Sequence, residues 1–456
     1  MTTPILDFLR GYAEGNAVRM HMPGHKGVAA LGPEPFDLTE IQGADELYRA
    51  RGIIRESEAQ AAALFGAART LYSAEGSSLC IRAMLYLALL RAKALGLPGR
   101  VLAGRNAHRT LISAAALLDL EIEWLMPAAE EGLLSCAVTP ERLSERLAEG
   151  TYMAVYLTSP DYLGQRTDLR PLAAVCHARG IPLLVDNAHG AYLKFLPEDL
   201  HPLTQGADLC CDSAHKTLDC LTGAAYLHIA QGAPALWAEQ AESALALFGS
   251  TSPSYLILAS LDRMNRELSE GYPAALAETV RRLDALKDRL RRRGWKWVGN
   301  EPMKLTLAAK GNGTTGLRLA ELLRKRGIEC EFADPDFLTL MPSVRTGEAD
   351  WRRLEEALEA IPFGKPVSPE PPPAVPRLPR AMSVREALLA PREEIPVREA
   401  AGRVLADAYM GCPPAVPIVV AGERMNEAAV RCLQYYGVES CAAAVERAEN
   451  GHTKKL

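Results

Sequence analysis

The chain has 456 residues, 48% hydrophobic and 23% charged, enough for two or three domains with their own cores. Its net charge of −5 offers no basic field for nucleic acid or an anionic membrane. Ten cysteines without a C-x-x-C pair, and no apolar run of about 18 residues, point to a cytoplasmic protein with no membrane span.

The opening "MTTPILDFLRGYAEG" lacks the basic start and long apolar core of a secretory signal. In "VRMHMPGHKG", His21 and His25 have the spacing of two zinc ligands on one helical face. Pro23 and Gly24 stand between them and favour a turn, so the stretch reads as a loop. From about 50 to 265, apolar strands alternate with helices. "ARTLYSAEGSS" is a strand with a glycine-serine turn, and "LCIRAMLYLALLRAKALG" is the helix it opens onto. "RVLAGR", "YMAVYLTSP", "IPLLVD", "ADLCCDSAHK" and "GAAYLHIA" read as strands, with helices at "HRTLISAAALLDL" and "LRPLAAVCHARG". Continuous rather than alternating apolar runs predict strands buried on both faces of a mainly parallel sheet, an α/β architecture. A helical stretch over 255–293 leads to a small α+β domain. That domain contains "MKLTLAAK", "GLRLAELLRKRG", "IECEFADPDFLTLMPS" and "DWRRLEEALEAI". The predicted organisation is an arm over 1–50, a large domain over 51–265 and a small domain over 266–361. A proline-dense linker over 362–380 and a C-terminal domain over 381–456 complete it.

Two strand ends carry reactive groups. "IPLLVD" delivers Asp186, followed by a loop through His189, and "ADLCC" leads to Ser213, His215 and Lys216. In open α/β sheets ligands bind at the carboxyl ends of strands. A lysine that can bond a carbonyl and a carboxylate that can keep a pyridine nitrogen protonated suit pyridoxal phosphate. Taken singly, Asp186 also fits a turn residue and Lys216 a solvated lysine. "SAEGSS" supplies Gly76, Ser77 and Ser78 at a helix start, a place for phosphate or simply a helix cap. Neither a P-loop ending nor G-x-G-x-x-G accompanies it, which disfavours a nucleotide.

Together these motifs resemble the Orn/Lys/Arg decarboxylase family. "SAHKT", "DNAHG", "RNAHRT" at 105–110, "SPDYLG" at 159–164, "STSPSY" at 250–255 and "MPGHKG" stand in family order. The segment "VREAAGRVLADAYMGCPPAVPIVVAGE" is similar to the family's terminal domain, and the chain resembles the compact form without a long N-terminal wing. The resemblance implies a pyridoxal phosphate enzyme of fold type I that converts arginine, lysine or ornithine to a polyamine and CO2. It implies Lys216 as the cofactor lysine and His215 beside it at phosphate or substrate. Asp186 would pair with the pyridinium nitrogen, His108 would stack on its ring, and His189 would belong to the cofactor set. It further implies phosphate contacts from Gly76, Ser77, Ser78 and Ser213, and from Ser250 or Thr251 of the partner subunit in a homodimer. The "MPGHKG" loop would border the substrate entrance or the dimer contact. Asn187, Arg109-Thr110, Glu75 and "GCPPAVP" depart from the usual pattern without removing the cofactor chemistry. A basic substrate needs an acidic acceptor, for which Asp45, Glu46, Glu331, Asp334 and Glu423 are candidates. No metal is expected, since H-E-x-x-H and cysteine pairs are missing. An aminotransferase or lyase on the same fold, or a non-catalytic regulator derived from it, is the alternative.

Overall fold

The computed structural model describes residues 1–15, 17–128, 131–362, 364, 365, 367, 372–407 and 415–445. By internal contacts the chain forms two compact units, residues 1–98 with 139–367 and residues 99–138 with 368–456. In chain order the strands begin with β1 (Arg69–Ser73), β2 (Arg100–Gly104), β3 (Glu121–Leu125), β4 (Ala154–Thr158), β5 (Leu183–Asp186), β6 (Leu209–Asp212) and β7 (Ala225–Ile229). They continue with β8 (Trp297–Val298), β9 (Leu305–Ala308), β10 (Phe332–Ala333), β11 (Phe337–Leu340), β12 (Arg392–Pro396) and β13 (Ser440–Ala444).

In the first unit β1, β7, β6, β5 and β4 lie side by side in that order. Strands β4, β5 and β6 are parallel, and β7 runs against both β6 and β1. Four of these five strands therefore share a direction, as the continuous apolar runs predict. Ala154–Leu157, Leu183–Val185 and Leu209–Cys211 are all buried, which is why they read as unbroken hydrophobic runs. The register aligns Thr158 with Asp186 and Asp186 with Cys211, so the strand ends that deliver the candidate residues form one edge.

A second, antiparallel sheet of the same unit has the order β10-β11-β9-β8. Leu305, Leu307 and Leu338 pack there against Leu319 and Leu323 of the helix Gly316–Arg324 and Trp351 and Leu358 of the helix Glu348–Ala360. The helical stretch expected over 255–293 is two helices, Tyr255–Ser269 and Tyr272–Arg292. Pro273 explains the restart: without an N–H it suits a first helical turn and would break an interior.

The second unit contains the parallel pair β2 and β3, the helix Arg109–Leu118, and the antiparallel pair β12 and β13. Buried Arg105 donates to the carbonyls of Pro417 and Ile418 at 2.6 and 2.8 Å, joining the end of β2 to the C-terminal segment. Ser383 and Glu386 close a capping box on the helix Val384–Leu389. Residues 411–414 of "GCPPAVP" and 363, 366 and 368–371 of the proline-rich stretch fall outside the described residues.

Among the described residues, no helix is long and apolar enough to cross a membrane. Nine cysteines among the described residues carry free thiols. Cys80, Cys176, Cys210 and Cys211 are buried in the first unit and Cys136, Cys432 and Cys441 in the second.

Candidate active site

The first unit's parallel strands end in loops that converge on Lys216. The chain leaves β6 through Ser213 into a single helical turn, Ala214–Thr217, which carries His215 and Lys216. It leaves β5 through Asn187 and Ala188 to His189, whose Nε2 lies 3.1 Å from Lys216 Nζ. Lys216 is reachable from solvent along its side chain, but protein crowds its amine. Lost hydration, reinforced by the charge of Lys304 and opposed by Asp186 and Glu331, draws its pKa below that of an ordinary lysine. An amine so depressed is a better nucleophile near neutral pH.

Asp186 is buried at the end of β5. Its Oδ2 accepts the Tyr156 hydroxyl at 3.1 Å and its Oδ1 accepts the Ala188 N–H at 3.2 Å, fixing the carboxylate's orientation. His215 donates from Nδ1 to the Ala224 carbonyl at 2.9 Å. Burial lowers the pKa of this ring, which favours a neutral imidazole with an unprotonated Nε2.

The turn after β1 prepares the third wall. Gly76 opens the helix Gly76–Ala94 with φ +72°, three residues before the start that apolar periodicity predicts. Ser77 and Ser78 thus lie in its first turn, and Ser213 Oγ donates to Ser77 Oγ at 2.8 Å. A Cβ at Gly76 would reach to 4.0 Å of His215 Cε1, into the space between the turn and that ring. Lys216, Asp186, the Ser77 and Ser213 hydroxyls and a helix start form a donor set that fits pyridoxal phosphate.

The remaining expected residues are distributed as follows. Ser250 and Thr251 are exposed, and the Ser250 N–H donates to Glu75 Oε1 at 2.6 Å, beside Gly76 of its own chain. His108 belongs to the second unit, where its Nδ1 caps the helix Arg109–Leu118 by accepting the Thr110 N–H at 3.2 Å. His21 and His25 do not converge on one point: His21 Nε2 meets Tyr12 Oη at 2.7 Å and His25 Nε2 meets Asp37 at 3.2 Å. The Pro-Gly turn separates them as its chemistry predicts.

Of the five acidic candidates, Asp45 receives backbone N–H groups of Glu46, Arg51, Gly52 and Ile54, and Asp334 those of Asp336 and Phe337. Glu423 belongs to the second unit and accepts the Val420 N–H, and exposed Glu46 lies 4.0 Å from Arg49. Glu331 is the one tied to the lysine's surroundings. It accepts the Tyr162 hydroxyl at 2.9 Å, and the Tyr162 ring stands edge-on to His189 with centroids 5.0 Å apart.

Two groups of residues here carry no motif that sequence reasoning could use. Lys304, just before β9, is buried within 3.1 Å of Glu301 Oε2 and 3.4 Å of His189 Nδ1. Under the sheet, buried Asp212 binds Asn187 Nδ2 at 2.7 Å, His201 Nε2 at 3.0 Å and His228 Nε2 at 3.3 Å. His201, Cys210 and Asp212 are close enough together to hold a metal ion. Yet His201 Nδ1 accepts the Leu203 N–H, which leaves the ring proton on Nε2 for Asp212. That is the arrangement of a hydrogen-bonded carboxylate.

Comparison with known proteins decides the lineage. The Orn/Lys/Arg decarboxylase major domain matches residues 3–302, and the C-terminal domain of the same family matches residues 374–444. The chain belongs to the Orn/Lys/Arg decarboxylase family. It is 30% identical over 460 residues to the arginine decarboxylase of Bacillus subtilis (strain 168), covering 93% of this chain and 91% of that protein. The arginine decarboxylase of Halalkalibacterium halodurans is also 30% identical, over 462 residues, with 93% and 91% covered. The lysine decarboxylase of Francisella novicida shares the fold, with a TM-score of 0.76 at 16% identity over 98% of this chain and 80% of that one. As a member of the Orn/Lys/Arg decarboxylase family, the protein is an amino acid decarboxylase on an α/β fold.

Proposed function

We propose that the enzyme removes the α-carboxylate of a basic amino acid using pyridoxal phosphate held on Lys216, with arginine the first substrate to test. The observation that carries the proposal is the Lys216 amine held 3.1 Å from His189, on the loop that follows Asp186, with the ends of β5 and β6 in register. When bound, pyridoxal phosphate supplies the electron sink for the carbanion left by CO2. Asp186, oriented by Tyr156 and the Ala188 N–H, would keep the ring nitrogen protonated. Gly76, Ser77, Ser78 and Ser213 would hold the phosphate, and Lys216 or His215 would return a proton to Cα. Glu331 would accept the distal guanidinium or ammonium, the substrate's cation replacing the Tyr162 hydroxyl or sharing the carboxylate with it.

The active form would be a homodimer in which Ser250 or Thr251 reaches the phosphate of the partner subunit. Val18, Met20, Met22, Val28 and Leu31 are all exposed within one segment, an apolar cluster suited to cover by a second copy. The free thiols fit a reducing cytoplasm.

The test is incubation with arginine, lysine and ornithine. Expected products are CO2 and the corresponding amine, lost in Lys216→Ala, with borohydride fixing the cofactor to the peptide that carries Lys216. A keto acid product, or a Lys216→Ala variant with full activity, would overturn the proposal.

A further inference from the structure

Lys216 and Lys304 face opposite nitrogens of one imidazole. His189 Nε2 lies 3.1 Å from Lys216 Nζ, and His189 Nδ1 lies 3.4 Å from Lys304 Nζ. An ammonium has three N–H donors and no acceptor. Lys304 Nζ pairs with the charge of Glu301, whose Oε2 is 3.1 Å away, and donates to the Tyr162 carbonyl at 3.4 Å and to His189 Nδ1. Glu301 and Lys304 are both buried, and a buried lysine stays charged where a carboxylate compensates it. Glu301 is itself held in place by the Tyr192 hydroxyl at 3.0 Å.

The proton order follows. Because Lys304 donates to Nδ1, the neutral His189 ring carries its proton on Nε2. An N–H donates and does not accept, so toward Lys216, 3.1 Å away, it meets a nitrogen that offers its lone pair. We infer that Lys304, kept charged by Glu301, fixes the tautomer of His189 and thereby holds the Lys216 amine in its neutral, nucleophilic form. Lys304 is a positioning residue that acts through His189, and the inference rests on the reading of Lys216 as the cofactor lysine. The other groups facing Lys216 are Asp186 and Glu331, which favour its charged form, and Cys211 on β6, with His215 adjacent in the chain. They remain in place when Lys304 is changed. A protonated Lys216 would oppose both the Nε2–H and the charge of Lys304.

The test measures the protonation of Lys216 directly. The full-length protein is freed of cofactor with hydroxylamine and labelled with acetic anhydride at graded pH, and the Lys216 peptide is quantified by mass spectrometry. Lys304→Met releases His189 to present a bare Nε2, which welcomes a protonated Lys216. The labelling midpoint should rise by about one pH unit, an approximately tenfold slower reaction at a fixed pH below it. Glu301→Gln leaves Lys304 uncompensated and neutral, able to accept from Nδ1–H, so its midpoint should rise as well while the shape of the site is kept. In the cofactor-loaded enzyme, the pH at which the bound cofactor's absorbance changes should move upward in the same variants. An unchanged or lowered midpoint in folded Lys304→Met overturns the inference; if that variant does not fold, Glu301→Gln decides by the same criterion. Borohydride mapping separates the two readings. Fixation on another lysine overturns the cofactor assignment, whereas fixation at Lys216 with an unmoved midpoint overturns the tautomer inference alone.

Discussion

At the residue scale, two carboxylates do different work because their surroundings differ. Glu331 is exposed and accepts the Tyr162 hydroxyl at its carboxylate, so it can turn to a cation. Glu331→Gln keeps the shape and removes the charge. KM for the basic substrate is expected to rise at least about tenfold, roughly one charge-assisted hydrogen bond, with kcat changed less. Steady-state kinetics with arginine check this. Asp212 is the opposite case. Burial would raise its carboxyl, but the hydrogen bonds from His201 and His228 outweigh that and hold it well below the usual range. Its folded pKa thus lies below its unfolded value of about 3.9, so its contribution to stability is complete above that value and is lost as pH falls through the folded pKa. Asp212→Asn should cost about 3 kcal/mol in urea unfolding at pH 7, and the gap to the unmodified protein should narrow only under strong acid.

At the element scale, the turn from β1 into the helix Gly76–Ala94 joins fold to chemistry. Only glycine adopts φ +72° without penalty, and its missing side chain leaves the space before His215 open. Gly76→Ala should lose about 1–2 kcal/mol of stability. It should also weaken cofactor retention beyond that loss, measured by cofactor release from the folded variant. Much of this geometry was legible in advance. The unbroken apolar runs of β4, β5 and β6 announced buried parallel strands, and the polar residues closing them announced the site's edge. The two-residue strand β8 carried too short a pattern to read, and the apolar periodicity across Glu270 and Gly271 concealed a helix break that Pro273 marks. Lys304 escaped notice for another reason. In "EPMKLT" a lysine before a strand looks solvated, and only the packing of the second sheet brings it to His189 and Glu301. Asp212, likewise, looks like a strand-end aspartate until His201 and His228 close around it.

At the scale of the whole molecule, assembly is the next question. Met20→Asp combined with Leu31→Asp places charge in the exposed apolar segment and should shift the sedimentation profile toward monomer. Shared sites also predict complementation. Mixing equal amounts of Lys216→Ala and Thr251→Ala subunits should restore about a quarter of full activity, since half of the random dimers carry one intact site of two. No recovery after demonstrated exchange would mean that each chain completes its own site. The buried cysteines add a different possibility. Burial pushes the Cys176 thiol up to about 12 and the Cys432 and Cys441 thiols up to about 11, so little reactive thiolate exists near neutral pH. Both units hold such silent thiols, the first at Cys176 and the second at Cys432 and Cys441. A maleimide pulse read peptide by peptide would therefore time the opening of each unit separately, with no label engineered into the chain.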